Sequence, residues 1–294
     1  MAEARTAGAI YDLGYQRYAG QRLGRGYAFR TLLAFSFRTA FGLGRGEKAK
    51  FLPVIAGALV YLPAMIQVGV ASVAGMTQFI HYADHLEFTA FLLALFAAGQ
   101  APELIVTDRQ QGVLALYLSR PLRGLDYALA KLVALSGGML VLTLGPQLVL
   151  FLGKIFISPK PWPAFQAEWT KLFPILGGSL LVSIAFAAVG LALSSFANRK
   201  GYATASVIAF FLLSGAIAEM VRNIGFGGME RYAVLGNPAL LISGFAGWLF
   251  EIEARRRSAV GQAALPGYLY LDVLLVVTFI AVAILLRRYR RSAS

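Results

Sequence analysis

Six runs of apolar residues, each long enough to cross a bilayer, limit this chain more than any other feature. They cover residues 51–73, 87–106, 127–152, 173–196, 202–221 and 268–286. About 20 consecutive apolar residues are needed to span the hydrocarbon core as a helix. Inside that core every backbone polar group must be satisfied within the segment, so the runs predict helices. Composition agrees: 58% of the residues are hydrophobic and 14% are charged, against roughly 25% charge in a soluble domain. The predicted class is an all-α polytopic membrane protein with six transmembrane helices in one membrane domain. Pro53 is expected in the first turn of span one and Pro63 as a kink inside it. Gly137-Gly138 and Gly145-Pro146 read as flexible or close-packing points in span three, and Gly177, Gly178 and Gly190 allow close helix approach in span four.

Between spans two and three lies a polar stretch with internal logic, residues 102–132. Span two runs into Glu103, and a charged knot follows at Asp108, Arg109, Gln110 and Gln111. Gly112 opens a short run in which Val113, Leu116, Tyr117 and Arg120 recur at helical spacing, and Pro121 stops it. Asp126 is placed to cap a helix opening at Tyr127. A short amphipathic helix lying along the membrane face fits this pattern, with Arg109, Gln110 and Arg120 turned to water. An ordinary basic loop between two membrane helices fits it as well.

The series Glu103, Asp108-Arg109, Gly112, Leu114, Leu118-Ser119, Pro121-Leu122, Tyr127 and Lys131 resembles the permease subunits of ABC-2 type transporters. In that family the first cytoplasmic loop carries a coupling helix that docks into a groove on a nucleotide-binding subunit. The resemblance implies a coupling helix at about 108–119. It implies that Glu103, Asp108, Arg109, Gln110, Gly112, Leu116 and Arg120 serve contact with the ATPase subunit. The family often carries an acid where this chain has Gln110 or Gln111, so here amide hydrogen bonding replaces charge. The resemblance also implies a second copy or a related permease as partner. This chain would bind no cofactor itself, with ATP and Mg held on the partner subunit.

Residues 1–26 read as an irregular cytoplasmic lead, without the short apolar core of a cleavable signal. Residues 27–41 read as an amphipathic helix in the cytoplasmic interface. Arg30, Ala34 and Arg38 form one face; Phe29, Leu32, Leu33, Ser36, Phe37 and Phe41 form the other. In the resembled family this is an elbow helix before span one. Residues 222–267 include an apolar piece, 234–250, broken by Asn237-Pro238 and Gly244 and at the lower length limit for a span. It is read as a re-entrant or surface-lying helix pair on the outer side, a placement the family shares.

Basic residues set the orientation. Nine lie in the N-terminal segment, four in the stretch 102–132 (Lys131 falling just inside span three), two in the four–five turn and four at the C-terminus. The intervening loops hold none, three and five. The positive-inside bias puts both termini in the cytoplasm of a multi-pass protein in the cytoplasmic membrane. The net charge of +13 flanks apolar spans and points to anionic lipid headgroups rather than nucleic acid.

No catalytic, cofactor or metal motif is present. HExxH, GxSxG and the phosphate-cradling GxxxxGK[ST] are all missing, so ATP work must come from a second protein. Gly42–Gly46 only resembles a phosphate loop and reads as a helix terminator. Glu103 is expected to pair with Arg109 or Lys131, or to face the partner. Glu219 and Arg222, three apart near the outer end of span five, are expected to pair, with a possible role as an outer gate. Gln67, Gln100 and Gln147 are read as helix-joining residues. His81 and His85 are read as loop residues rather than metal ligands. An ion-coupled secondary transporter is the alternative function, but it calls for carboxylates deep in the spans, and none is found there. A lipid-modifying enzyme would call for acidic clusters, which are missing too.

Overall fold

The computed structural model describes residues 23–44, 46–113, 117, 122–225, 227–252 and 258–290. The elements are helices: α1 (Arg25–Ala40), α2 (Glu47–Ala74), α3 (Tyr82–Gln110), α4 (Gly124–Ile157), α5 (Pro161–Glu168), α6 (Leu172–Ser194), α7 (Lys200–Ile224), α8 (Pro238–Leu249), α9 (Ala259–Ala263) and α10 (Gly267–Arg290). Short 3-10 turns occur at Thr77–Phe79, Trp169–Lys171 and Tyr232–Gly236. Among the described residues six helices are long and apolar enough to cross a membrane: α2, α3, α4, α6, α7 and α10, with the Thr77–Phe79 turn leading into α3 and α5 into α6.

Every span but α6 is longer than its apolar run; α6 ends at Ser194, two residues short of its run. α3 starts at Tyr82 rather than 87, and α4 begins at Gly124 and continues to Ile157 rather than 152. The helix expected to open at Tyr127 has Arg123 as N-cap, and Asp126 reaches back from the third position to the Arg123 N–H at 2.9 Å. Residues 153–172, between the third and fourth apolar runs, hold the end of α4 and then α5, with Pro161 at its first position. Pro53 also moves: with α2 starting at Glu47 it lies inside the helix. It leaves the Ala49 carbonyl without its usual donor. Gly42, at φ +67°, packs its backbone against that carbonyl, in space that a Cβ would fill.

α3 and α6 form the centre, each with 72% of its most apolar window buried, against 22% for α2 and 11% for α7. The α3–α6 contact depends on small residues: a Cβ on Gly190 would lie 3.1 Å from that of Ala97 and 3.3 Å from that of Ala101. Thr143 and Ser183 hydroxyls meet at 2.9 Å between α4 and α6. Gln147 donates to the Tyr82 carbonyl at 2.9 Å, and Gln67 accepts from the His81 N–H at 3.4 Å, so both join elements.

α1 divides as its periodicity predicts, with Leu32, Ser36 and Ala40 buried and Arg30 and Arg38 exposed. Its apolar face, expected to rest in the lipid interface, rests on α4. Phe37 lies against Gly137 and Phe41 against Gly138, while Arg25 meets Asp126. The stretch of α4 from Asp126 to Gly138 is about 18 Å long, so α1 runs beside α4 rather than across its tip.

Between α7 and α10 the chain makes an inward excursion. Asn237 lies against Gly215, and Ala218 against Gly236, which is about 14 Å in from the end of α7. Asn237 then caps α8, accepting from the Ala239 and Leu240 N–H groups, with Pro238 at the first position. The 12 residues of α8 extend about 18 Å, too short for a 30 Å core. α8 leads back to Phe250, which stacks on Tyr82 at the start of α3 with centroids 5.6 Å apart. Gly244 gives room for the Tyr270 ring and Gly267 for the Trp248 ring.

Candidate functional site

The polar residues of the sequence stretch 102–132 gather at one end of the bundle, around the last turn of α3. Gly112 adopts φ +69° just past that turn, and its N–H donates to the Arg109 carbonyl at 3.2 Å. This is the left-handed position at which glycine commonly ends a helix. It sends the chain out of α3 directly beneath Asp108, Arg109 and Gln110.

Asp108 faces inward. Its Oδ2 lies 2.7 Å from Lys131 Nζ and accepts from the Tyr127 hydroxyl at 2.9 Å. The Lys131 side chain is 1% exposed and that of Asp108 10%. Burying two charges is costly, and the cost is offset when they pair with good geometry and a further hydrogen bond. Tyr127 and Lys131 are four apart on α4, so both project toward α3 from one face. The Lys131 ammonium also lies over the Tyr127 ring at 5.3 Å, and Tyr289, from the last turns of α10, packs on Tyr127 at 5.1 Å. The Tyr117 ring is 6.1 Å from that of Tyr127.

The next two residues reach the opposite way. Arg109 donates to the Ser195 carbonyl at 2.8 Å and the Ala197 carbonyl at 3.0 Å; Gln110 donates to the Asn198 carbonyl at 3.0 Å. These carbonyls belong to the end of α6 and the turn into α7. Helix C-termini leave four carbonyls without intrahelical donors and carry partial negative charge, so a guanidinium is a suitable partner. Glu103, one turn deeper, accepts from Lys200 at 3.0 and 3.1 Å and from Thr107 at 3.0 Å. At the start of α4, Arg25 makes a two-point contact with Asp126 at 2.8 and 2.6 Å. The adjacent carboxylate raises the Arg25 pKa above its ordinary value.

These contacts correct several expectations. Glu103 pairs with Lys200, across the bundle, where local spacing favoured Arg109 or Lys131. Arg109, expected to face water, is half-buried and grips the α6–α7 turn, while Gln110 is exposed as expected and also donates to that turn. Leu116 and Arg120 lie outside the described residues, as do 114, 115, 118 and 119 of the coupling helix expected at 108–119, while 108–110 form the end of α3. Glu219 and Arg222 do pair, through Nε and one Nη of the guanidinium, and Asn223 adds a contact to Glu219 at 3.4 Å. Lys200, Tyr289, Arg25 and the carbonyls of 195–198 were not singled out from sequence. Only the Tyr127–Lys131 spacing gave a local signal, since the others depend on contacts between distant segments. Among the described residues no group of three acidic or histidine side chains is arranged to hold a metal ion.

Six long apolar helices fit a multi-pass membrane protein, and a polar cluster joins α3, α4, α10 and the α6–α7 turn at one end. Neither a scan of protein-family models nor a search of curated proteins finds a match to the chain.

Proposed function

We propose that the chain is the transmembrane permease subunit of an ABC-2 type transporter, an exporter driven by ATP hydrolysed on a separate nucleotide-binding subunit. One observation carries the reading. The last turn of α3 enters the 3-4 connection already bonded to α4 through Asp108–Lys131 and to the α6–α7 turn through Arg109. A push on that connection is therefore shared at once by α3, α4, α6 and α7, with α10 following through Tyr289. This is the mechanical requirement for a lever between a soluble motor and a helical pathway.

In this reading ATP and Mg act on the partner subunit, and a second copy or a related permease completes the pathway. α1 serves as the elbow helix, and the excursion through α8 is a re-entrant segment on the outer side. The distribution of basic residues favours a cytoplasmic lever and cytoplasmic termini. Nucleotide can drive the change only insofar as the ATPase subunit binds the two conformations with different affinity. The alternative of ion-coupled transport calls for a buried carboxylate near mid-span. Asp108, buried as it is, lies in the last turn of α3 and is paired with Lys131.

The test is to look for a soluble ATPase encoded beside the chain and to co-express the two. The two copurify, and the permease stimulates ATP hydrolysis. Combined Asp108→Lys and Arg109→Glu reversal abolishes that stimulation in protein that still inserts. Stimulation unchanged by the reversal contradicts the reading.

A further inference from the structure

α7 and α10 each pack on α6 and α8 rather than on one another. The gap between them is a cleft of about 130 Å³. Its floor is α6, at Ala185, Phe186 and Val189, and the end of the inward excursion closes it from above at Leu235 and Leu241. Phe211 stacks on Phe186 with centroids 5.1 Å apart and planes 8° from parallel, which fixes the inner wall. Phe210, Ser214 and Val277 lie at the mouth and are partly or well exposed.

Two observations say what fills it. First, Ser214 supplies the one polar side chain of the lining, and its hydroxyl is already donated to the Phe211 carbonyl at 3.3 Å. A buried water needs two to four polar partners, whereas apolar cavities of about 150 Å³ stay dry and accept a benzene-sized apolar guest. Second, the mouth is at mid-depth. Phe211 and Ser214 fall about midway along α7, between Lys200 and Arg222, and Val277 about midway along α10, ahead of Arg287. Basic residues mark headgroup level, so the mouth opens where the surrounding solvent is hydrocarbon.

We infer that the cleft between α7 and α10 is a binding site for part of one acyl chain of a bilayer lipid, entering sideways from the membrane. A chain seated there separates α7 from α10 and supports the Phe186–Phe211 stack. The site does not depend on the exporter reading and would persist if that reading failed.

The experiment reconstitutes the full chain in phosphatidylcholine vesicles doped with a phosphatidylcholine carrying a diazirine midway along one acyl chain. After irradiation, adducts are mapped residue by residue. Phe279, 74% exposed, is labelled by any surrounding lipid and serves as the control. Phe186 and Leu241, 6% and 7% exposed, are labelled only by a chain inside the cleft. The result expected is adducts at Phe186 or Leu241 as well as Phe279. Filling the floor by Ala185→Leu should cut the inner labelling several-fold and leave Phe279 unchanged. Val277→Phe at the mouth gives the same readout if the first variant does not reconstitute. Labelling of Phe279 without the two inner residues overturns the inference. So does modification of Ser214→Cys, the sole thiol in a chain without cysteine, by a charged water-soluble reagent in sealed vesicles, because the cleft would then be aqueous.

Discussion

Lys131→Met should destabilise the folded chain by about 3–5 kcal/mol, the usual cost of removing one member of a buried ion pair. Methionine keeps most of the aliphatic stem and deletes the ammonium. Asp108 Oδ2 is then left with the Tyr127 hydroxyl at 2.9 Å, in a position where its side chain is 10% exposed. Asp108→Asn should cost a similar amount, since it leaves an ammonium that is 1% exposed without its counter-charge. The combination Asp108→Asn with Lys131→Met removes both charges and keeps an acceptor for Tyr127. It should therefore cost less than either single change. Unfolding free energies from denaturing-detergent titration of the chain in mixed micelles give the three values. If the double variant equals the sum of the singles within about 0.5 kcal/mol, the two charges are not coupled and the reasoning fails.

Gly112→Ala forces a Cβ into a left-handed backbone at φ +69°, at a cost of about 1–2 kcal/mol; amide exchange over 107–112 should speed up, and an unchanged rate would show that the turn does not need glycine. Gly244→Ala drives a methyl into the Tyr270 ring, whereas nothing lies within 4 Å of a Cβ on Gly177. The first should lose about 1–3 kcal/mol by overpacking, and Gly177→Ala should gain about 0.5–1 kcal/mol of helix stability, so a thermal shift of the same sign in both would contradict the packing described. Arg25→Ala should speed amide exchange in α1 at low salt, and the wild-type chain should approach the variant near 1 M salt, where screening is nearly complete within about 3 Å. Equal exchange at all salt concentrations would mean the Arg25–Asp126 contact does not hold α1 on α4.

The six spans were readable because a run of some 20 apolar residues has few other uses. Their ends were not, because helices run past the apolar window. Tyr82, Asp84 and His85 lower the hydropathy of the start of α3 without stopping it, since Tyr82 and His85 are buried against neighbours. The amphipathic division of α1 was legible, but its partner was not. Periodicity identifies an apolar face without saying whether lipid or α4 covers it. Pairs within one helix, such as Glu219–Arg222, follow from spacing. Glu103 with Lys200, or Arg109 with the carbonyls of 195 and 197, requires knowing that the end of α3 meets the end of α6. Spacing alone favoured nearer partners. Asn237-Pro238, read from sequence as a break in the apolar piece, is the start of α8, and Gly215 gives Asn237 room.

The side of the membrane reached by the end of α3 tests the account most directly. The chain has no cysteine, so Gln111→Cys and Met76→Cys each carry a single thiol, in the 3-4 connection and in the α2–α3 loop. In intact cells a membrane-impermeant maleimide should leave Cys at 111 unmodified until the membrane is opened, and should modify Cys at 76 from outside. Modification at 111 in intact cells, with 76 protected, would put the lever outside, away from any cytoplasmic ATPase, and would contradict the account.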